Sequence, residues 1–138
     1  MNAAIAEYTK AKRAQGLGVT PHRLVQMLMQ SSIDRLATAK GCMQRNDIEG
    51  IHDNITTTMT IISTLRGSLD MEAGGEISIN LDLLYGYMHT QLLKALGKHD
   101  VQIIDEMIAL FKELLKGWEA MPDDIKKATD YSHIPRPE

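Results

Sequence analysis

A single cysteine, a single phenylalanine and a single tryptophan stand in these 138 residues, and aromatic side chains make up 4% of the total. One cysteine cannot build an intrachain disulfide framework, and it fits a reducing compartment. Cys42 falls in a helical pattern with no activating base and histidine arranged beside it, so it reads as a small packing residue rather than a nucleophile. Prolines are equally sparse, and Pro21, Pro122, Pro135 and Pro137 all lie near the edges of the chain. No apolar run approaches the roughly 20 residues of a membrane span. The opening MNAAIAEYTKAKRAQG has no apolar core of signal-peptide length. These absences lead to the expectation of a cytosolic chain with no membrane insertion. Positive charge is scarce too: the formal net charge is -3, and KAKR (Lys10 to Arg13) is the one basic cluster. That cluster reads as a solvated tail, and the electrostatic footprint of nucleic-acid binding is missing.

What the chain has is helix. Its nine methionines and many leucines are good helix formers. Thr20 followed by Pro21 is an N-cap and a first-turn proline, opening a helix with the stripe Val25, Leu28, Ser32, Leu36, Ala39 and Met43. QRND breaks it, and Asp47 caps a second helix with the stripe Ile48, Ile51, Ile55, Met59, Ile62, Leu65 and Leu69. On the other side of this helix, TTTMT places β-branched threonines at a cost of a few tenths of a kcal/mol each. EAGGE is read as the next break, with glycines able to take positive φ and Glu76 in the first turn of a third helix. A phosphate-binding loop is excluded there, because it needs a preceding strand and G-x-x-x-x-G-K-[ST].

The third helix is expected from about Ile77 to Leu96. Ile77, Leu81, Leu84, Met88, Leu92 and Ala95 share one face, Tyr85 lies on its border, and Asn80, Leu83, Tyr87 and Gln91 lie toward the other side. Gly97 is expected to end it and Asp100 to cap the fourth helix, whose two stripes, Val101-Ile104-Ile108-Phe111-Leu115-Trp118 and Ile103-Met107-Leu110-Leu114-Met121, cover nearly half the circumference. Pro122 ends that helix. Short connections favour antiparallel neighbours. The expected fold is therefore all-α: an antiparallel up-down four-helix bundle over 20–121, with a short N-terminal segment, 1–19, packed on it and a mobile C-terminal tail, 122–138.

Catalytic chemistry finds little support. Glu49-Gly50-Ile51-His52 matches the Glu-x-x-His element of bundle di-metal centres once, but His22, His89, His99 and His133 lack the partner glutamate. The expectation is no metal, no cofactor and no enzyme, with His52 on a helix surface. Ser31 and Ser32 have no strand-to-helix elbow. What remains is apolar surface beyond a core stripe of about 100°. Either each helix packs on two neighbours and uses all of it, or a groove accepts an amphipathic partner segment, with methionines helping it adapt.

The stretch GGEISINLDLLYGYM resembles the signature of the flagellar secretion chaperones, the FliS family, through Gly74, Gly75, Glu76, Ile77, Asn80, Leu81, Leu84, Tyr85, Tyr87 and Met88. TPHRLVQMLM is similar to a second family segment through Pro21, Leu24, Met27 and Leu28. Asp47-Ile48, Asp100, Trp118 and Tyr8 fall at family positions. The resemblance covers nearly the whole chain. It implies a cytoplasmic bundle that holds the disordered C-terminal segment of flagellin, prevents premature polymerisation and delivers it to the flagellar type III export gate for filament assembly. It also implies an N-terminal segment that packs on the bundle when no client is bound.

On that resemblance and on helical angle, the expected client contacts are Tyr8 as a displaceable lid, Leu28 and Met29 on helix one, Ile61 on helix two, and Asn80, Leu83 and Tyr87 on helix three. Leu81, Tyr85, Met88 and Trp118 are assigned to the core. The free protein is expected as a monomer or weak dimer. A regulator that sequesters another flagellar protein, such as an anti-sigma factor, and a bundle metalloenzyme are the competing readings. The chain departs from the family pattern at Met29, Ser31-Ser32, Gly86 and Leu96, which bears on client specificity more than on fold.

Overall fold

The computed structural model describes residues 20–121, which form four α-helices: α1 (Pro21–Gln44), α2 (Ile48–Gly67), α3 (Met71–Lys98) and α4 (Val101–Ala120). Each begins where a side chain satisfies the first free amides of the helix. Thr20 Oγ1 accepts from Arg23 N at 3.1 Å, Asp47 Oδ1 from Gly50 N at 3.0 Å, Asp70 Oδ1 from Glu72 N and Ala73 N at 3.1 and 2.9 Å, and Asp100 Oδ1 from Gln102 N at 2.9 Å.

The helices close a ring: α1 packs on α2 and α4, α2 on α3, and α3 on α4, the last pair most loosely. The antiparallel four-helix bundle expected from the sequence is the fold. Contacts between opposite ends record the up-down order. The Trp118 indole, near the end of α4, donates to the His22 carbonyl at 3.0 Å and stacks on the His22 ring at 4.7 Å. Lys40 near the end of α1 pairs with Asp105 in the first turns of α4 at 2.8 Å. The core holds Leu28, Met29, Leu36, Ile51, Ile55, Ile61, Ile62, Leu65, Tyr85, Met88, Phe111 and Trp118.

Several local expectations need correction. The segment EAGGE is not a simple break: Met71 to Gly74 form a helical turn under the Asp70 cap, and only Gly75 leaves helical space, at φ 52 and ψ -129. Ser78 Oγ reaches back across this kink to the Asp70 carbonyl at 2.9 Å, so the two pieces stay joined. Gly97 does not end α3; the helix runs to Lys98, and His99 takes the left-handed cap conformation at φ 51. Ile48 and Val101, placed on core stripes, are exposed.

The threonines Thr57 and Thr58 are buried rather than on an outer face, because α2 is sandwiched between α1 and α3 and buries more than one stripe. Their hydroxyls donate to the carbonyls of Asp53 and Asn54 at 2.7 and 2.9 Å, which removes the penalty of an unpaired buried hydroxyl. Tyr85, at the border of the core face and assigned to the core, is wholly buried as expected.

Candidate client-binding face

The outward face of α3 carries four of the seven exposed large apolar side chains of the described residues. Ile79 (49% exposed), Leu83 (66%), Tyr87 (45%) and Leu93 (57%) fall within an arc of roughly 120° at 100° per residue. Asn80 is exposed beside them, and its side chain makes no hydrogen bond among the described residues. Singly exposed apolar residues are ordinary on protein surfaces, whereas a row of four along one helix is a recognised mark of an interaction surface.

Both edges of this face are fastened. On the α2 side, Arg66 Nε donates to Asp82 Oδ1 at 2.7 Å. Gly86 makes room for that guanidinium, since a Cβ there would sit 3.1–3.2 Å from Arg66 Nη1, Nη2 and Cζ. The hydrogen bond to Asp82, and then its charge, hold the Arg66 pKa above its ordinary value. On the α4 side, the Tyr87 hydroxyl donates to Glu106 Oε2 at 2.8 Å. That bond, followed by desolvation and the Glu106 charge, raises the phenol pKa above its ordinary value. Ile103 and Leu110, one turn either side of Glu106 on α4, are half-buried and packed against the core.

The seven residues expected to touch a client divide. Asn80, Leu83 and Tyr87 come together on this face. Leu28, Met29 and Ile61 do not lie on an accessible surface: they are core residues at 2%, 1% and 2% exposure. Leu28 also lies on the expected core stripe of α1 and is buried with it, whereas Met29 and Ile61 are buried because α1 and α2 each pack on two neighbours, which widens the buried arc beyond one stripe. Leu28 still lines a groove of about 520 Å³ that runs along α1 past Arg23, Gln30, Asp34 and Leu115. Tyr8 lies outside the described residues. Sequence reasoning missed Ile79 and Leu93. The signal was present in the i, i+4, i+8 run Ile79-Leu83-Tyr87, opposite the core stripe.

No group of three or more His, Cys, Asp or Glu side chains able to hold a metal gathers among the described residues. No described helix is long and apolar enough to cross a membrane. A helical bundle with a row of exposed apolar side chains along one helix has the kind of surface that marks protein-binding sites.

The comparisons with known proteins agree. The family model described as flagellar protein FliS matches residues 3–124. The chain is 40% identical over 119 residues to the flagellar secretion chaperone FliSB of Pseudomonas aeruginosa, covering 86% of this chain and 94% of that protein. It is 35% identical over 130 residues to the flagellar secretion chaperone FliS of Vibrio cholerae, covering 94% and 96%. It is 32% identical over 104 residues to FliS of Salmonella typhimurium, covering 75% and 77%. The chain belongs to the FliS family, a family of flagellar secretion chaperones rather than enzymes.

Proposed function

We propose that this chaperone binds the C-terminal segment of flagellin in the cytosol, keeps it from polymerising and presents it to the flagellar type III export gate. The observation that carries this reading is the row Ile79-Leu83-Tyr87-Leu93 on α3, with Asn80 alongside. A segment that is disordered alone can lay an apolar helical face on such a row, and it binds with modest affinity per unit area. Asn80 can hydrogen-bond client backbone where the segment is extended, and Tyr87 offers a flat ring with a polar tip.

Leu28, Met29 and Ile61 contribute in this reading through the core that positions the helices. Residues 1–19, with Tyr8, are proposed as a lid that competes with the client and is displaced by it.

An in vitro polymerisation assay tests the function. Stoichiometric chaperone is expected to suppress filament growth from flagellin monomers, and flagellin truncated at its C-terminal segment is expected not to co-elute with it. Co-elution of the truncated flagellin at full strength would move the client site elsewhere on flagellin. Binding of an anti-sigma factor at the same face is a separable outcome, read by whether flagellin displaces it.

A further inference from the structure

We propose that His52 and His99 form a two-ligand site for a divalent transition-metal ion of the imidazole-preferring class, Zn²⁺, Ni²⁺ or Cu²⁺. His52 stands on the second turn of α2 and His99 is the cap that follows α3, 47 positions away in sequence. Their Nε2 atoms are 3.2 Å apart, and the rings meet nearly edge to face, at 84° with centroids 5.4 Å apart. Two nitrogens bound to one tetrahedral metal at about 2.0–2.1 Å are separated by about 3.3 Å. The two donors are therefore already at chelating separation, and a slight turn of each ring aims both lone pairs at one point.

Both anchors are fixed before an ion arrives. His52 lies inside a capped helix. The His99 backbone is held left-handed, its N–H bonded to the Ala95 carbonyl at 2.8 Å. Without an ion one Nε2–H donates to the other Nε2; on metal binding that ring takes its Nδ1–H tautomer, which leaves both Nε2 lone pairs to the ion. His52 is exposed and His99 half-exposed, so hydrated ions reach them. No third ligand joins the pair among the described residues, so water fills the remaining positions. Binding at this site clamps the start of α2 to the end of α3. It follows the order of nitrogen affinities, with Cu²⁺ strongest, and it excludes Mg²⁺ and Ca²⁺, which prefer oxygen.

The test is calorimetric titration of the tag-free full chain with ZnCl₂, NiCl₂, CuCl₂ and MgCl₂, together with His52→Gln and His99→Asn. Asparagine tolerates the left-handed cap that His99 occupies, so the fold is spared. Loss of an outer-sphere partner alone costs roughly 10–100-fold in metal affinity, so removing one of two direct ligands is expected to weaken Zn²⁺ binding roughly tenfold or more. His89→Gln is expected to bind as the parent does. A readout that needs no variant is the histidine ring NMR spectrum of the parent during Zn²⁺ titration, in which the His52 and His99 signals are expected to move together. Zn²⁺ affinity unchanged in both variants, equal binding of Mg²⁺, or ring shifts confined to other histidines overturns the assignment.

Discussion

Tyr87 and Glu106 join α3 to α4 where the two helices pack most loosely, the phenol donating to the carboxylate at 2.8 Å. This bond holds the ring at the edge of the apolar row and gives it one orientation. A flat side chain that is already oriented loses less freedom when a client covers it. The bond also makes the phenol harder to ionise. Because the folded-state pKa is raised, the contribution of the bond is complete below the ordinary tyrosine value of about 10 and is lost as pH rises through the higher folded value. Ultraviolet titration, compared with Tyr87→Phe to assign the signal, is expected to show the Tyr87 phenol ionising above that ordinary value. Glu106→Gln is expected to return it toward the ordinary value.

Leu83 is the most exposed large apolar side chain of the described residues. Leu83→Asp is therefore expected to leave the melting temperature nearly unchanged and to weaken client binding by about 2 kcal/mol or more, as central contacts of an interface do. A loss of folding in this variant, read by circular dichroism, would place Leu83 in the core instead.

Gly50 and Gly86 predict opposite outcomes for the same substitution. A Cβ on Gly50 would lie 2.5 Å from Asp47 Oδ2 and 2.6 Å from Cys42 Sγ, and the buried cysteine has little room to move. Gly50→Ala is expected to destabilise by about 1–3 kcal/mol through overpacking. At Gly86 the neighbour is the far end of an exposed arginine, which can swing aside. Gly86→Ala is expected to stabilise α3 by up to about 1 kcal/mol, the helix propensity gained over glycine. Chemical denaturation of both variants checks the contrast.

Trp118 ties α4 to α1 through its stack on His22 and its bond to the His22 carbonyl. Trp118→Ala is expected to cost about 3–5 kcal/mol, the usual range for deleting a large buried aromatic side chain. Trp118→Phe is expected to cost less, because the ring volume largely remains while the indole donor is lost. Equilibrium urea unfolding separates the two.

Deletion of residues 1–19 is expected to raise client affinity, since the lid proposed for that segment then no longer competes. Unchanged or weaker binding, measured by the same titration as for the full chain, would count against a competing lid.

Capping and punctuation made the fold legible in the sequence. Thr20-Pro21, Asp47 and Asp100 mark three helix starts correctly, and the glycine pair contains the one residue inside α3 that leaves helical space. The core assignment of Tyr85, Met88 and Trp118 also agrees with their burial. The candidate site was harder to read, because a helical wheel gives direction but not the number of neighbours. Met29 and Ile61 look lateral on a wheel and become core once each helix has two partners. Thr57 and Thr58 look polar and become buried, because a helix carbonyl one turn back satisfies them. The His52–His99 contact spans 47 positions, beyond the reach of any local motif.

The most direct measurement is calorimetric titration of the full chain with the C-terminal segment of flagellin from the same organism, run at several temperatures and repeated with Leu83→Asp. The account predicts one-to-one binding with a large negative heat-capacity change, as a segment folding onto apolar surface produces. It predicts marked weakening in the variant. Absence of binding at roughly tens of micromolar, or equal binding by the Leu83→Asp variant, would contradict the assignment of the α3 face to flagellin.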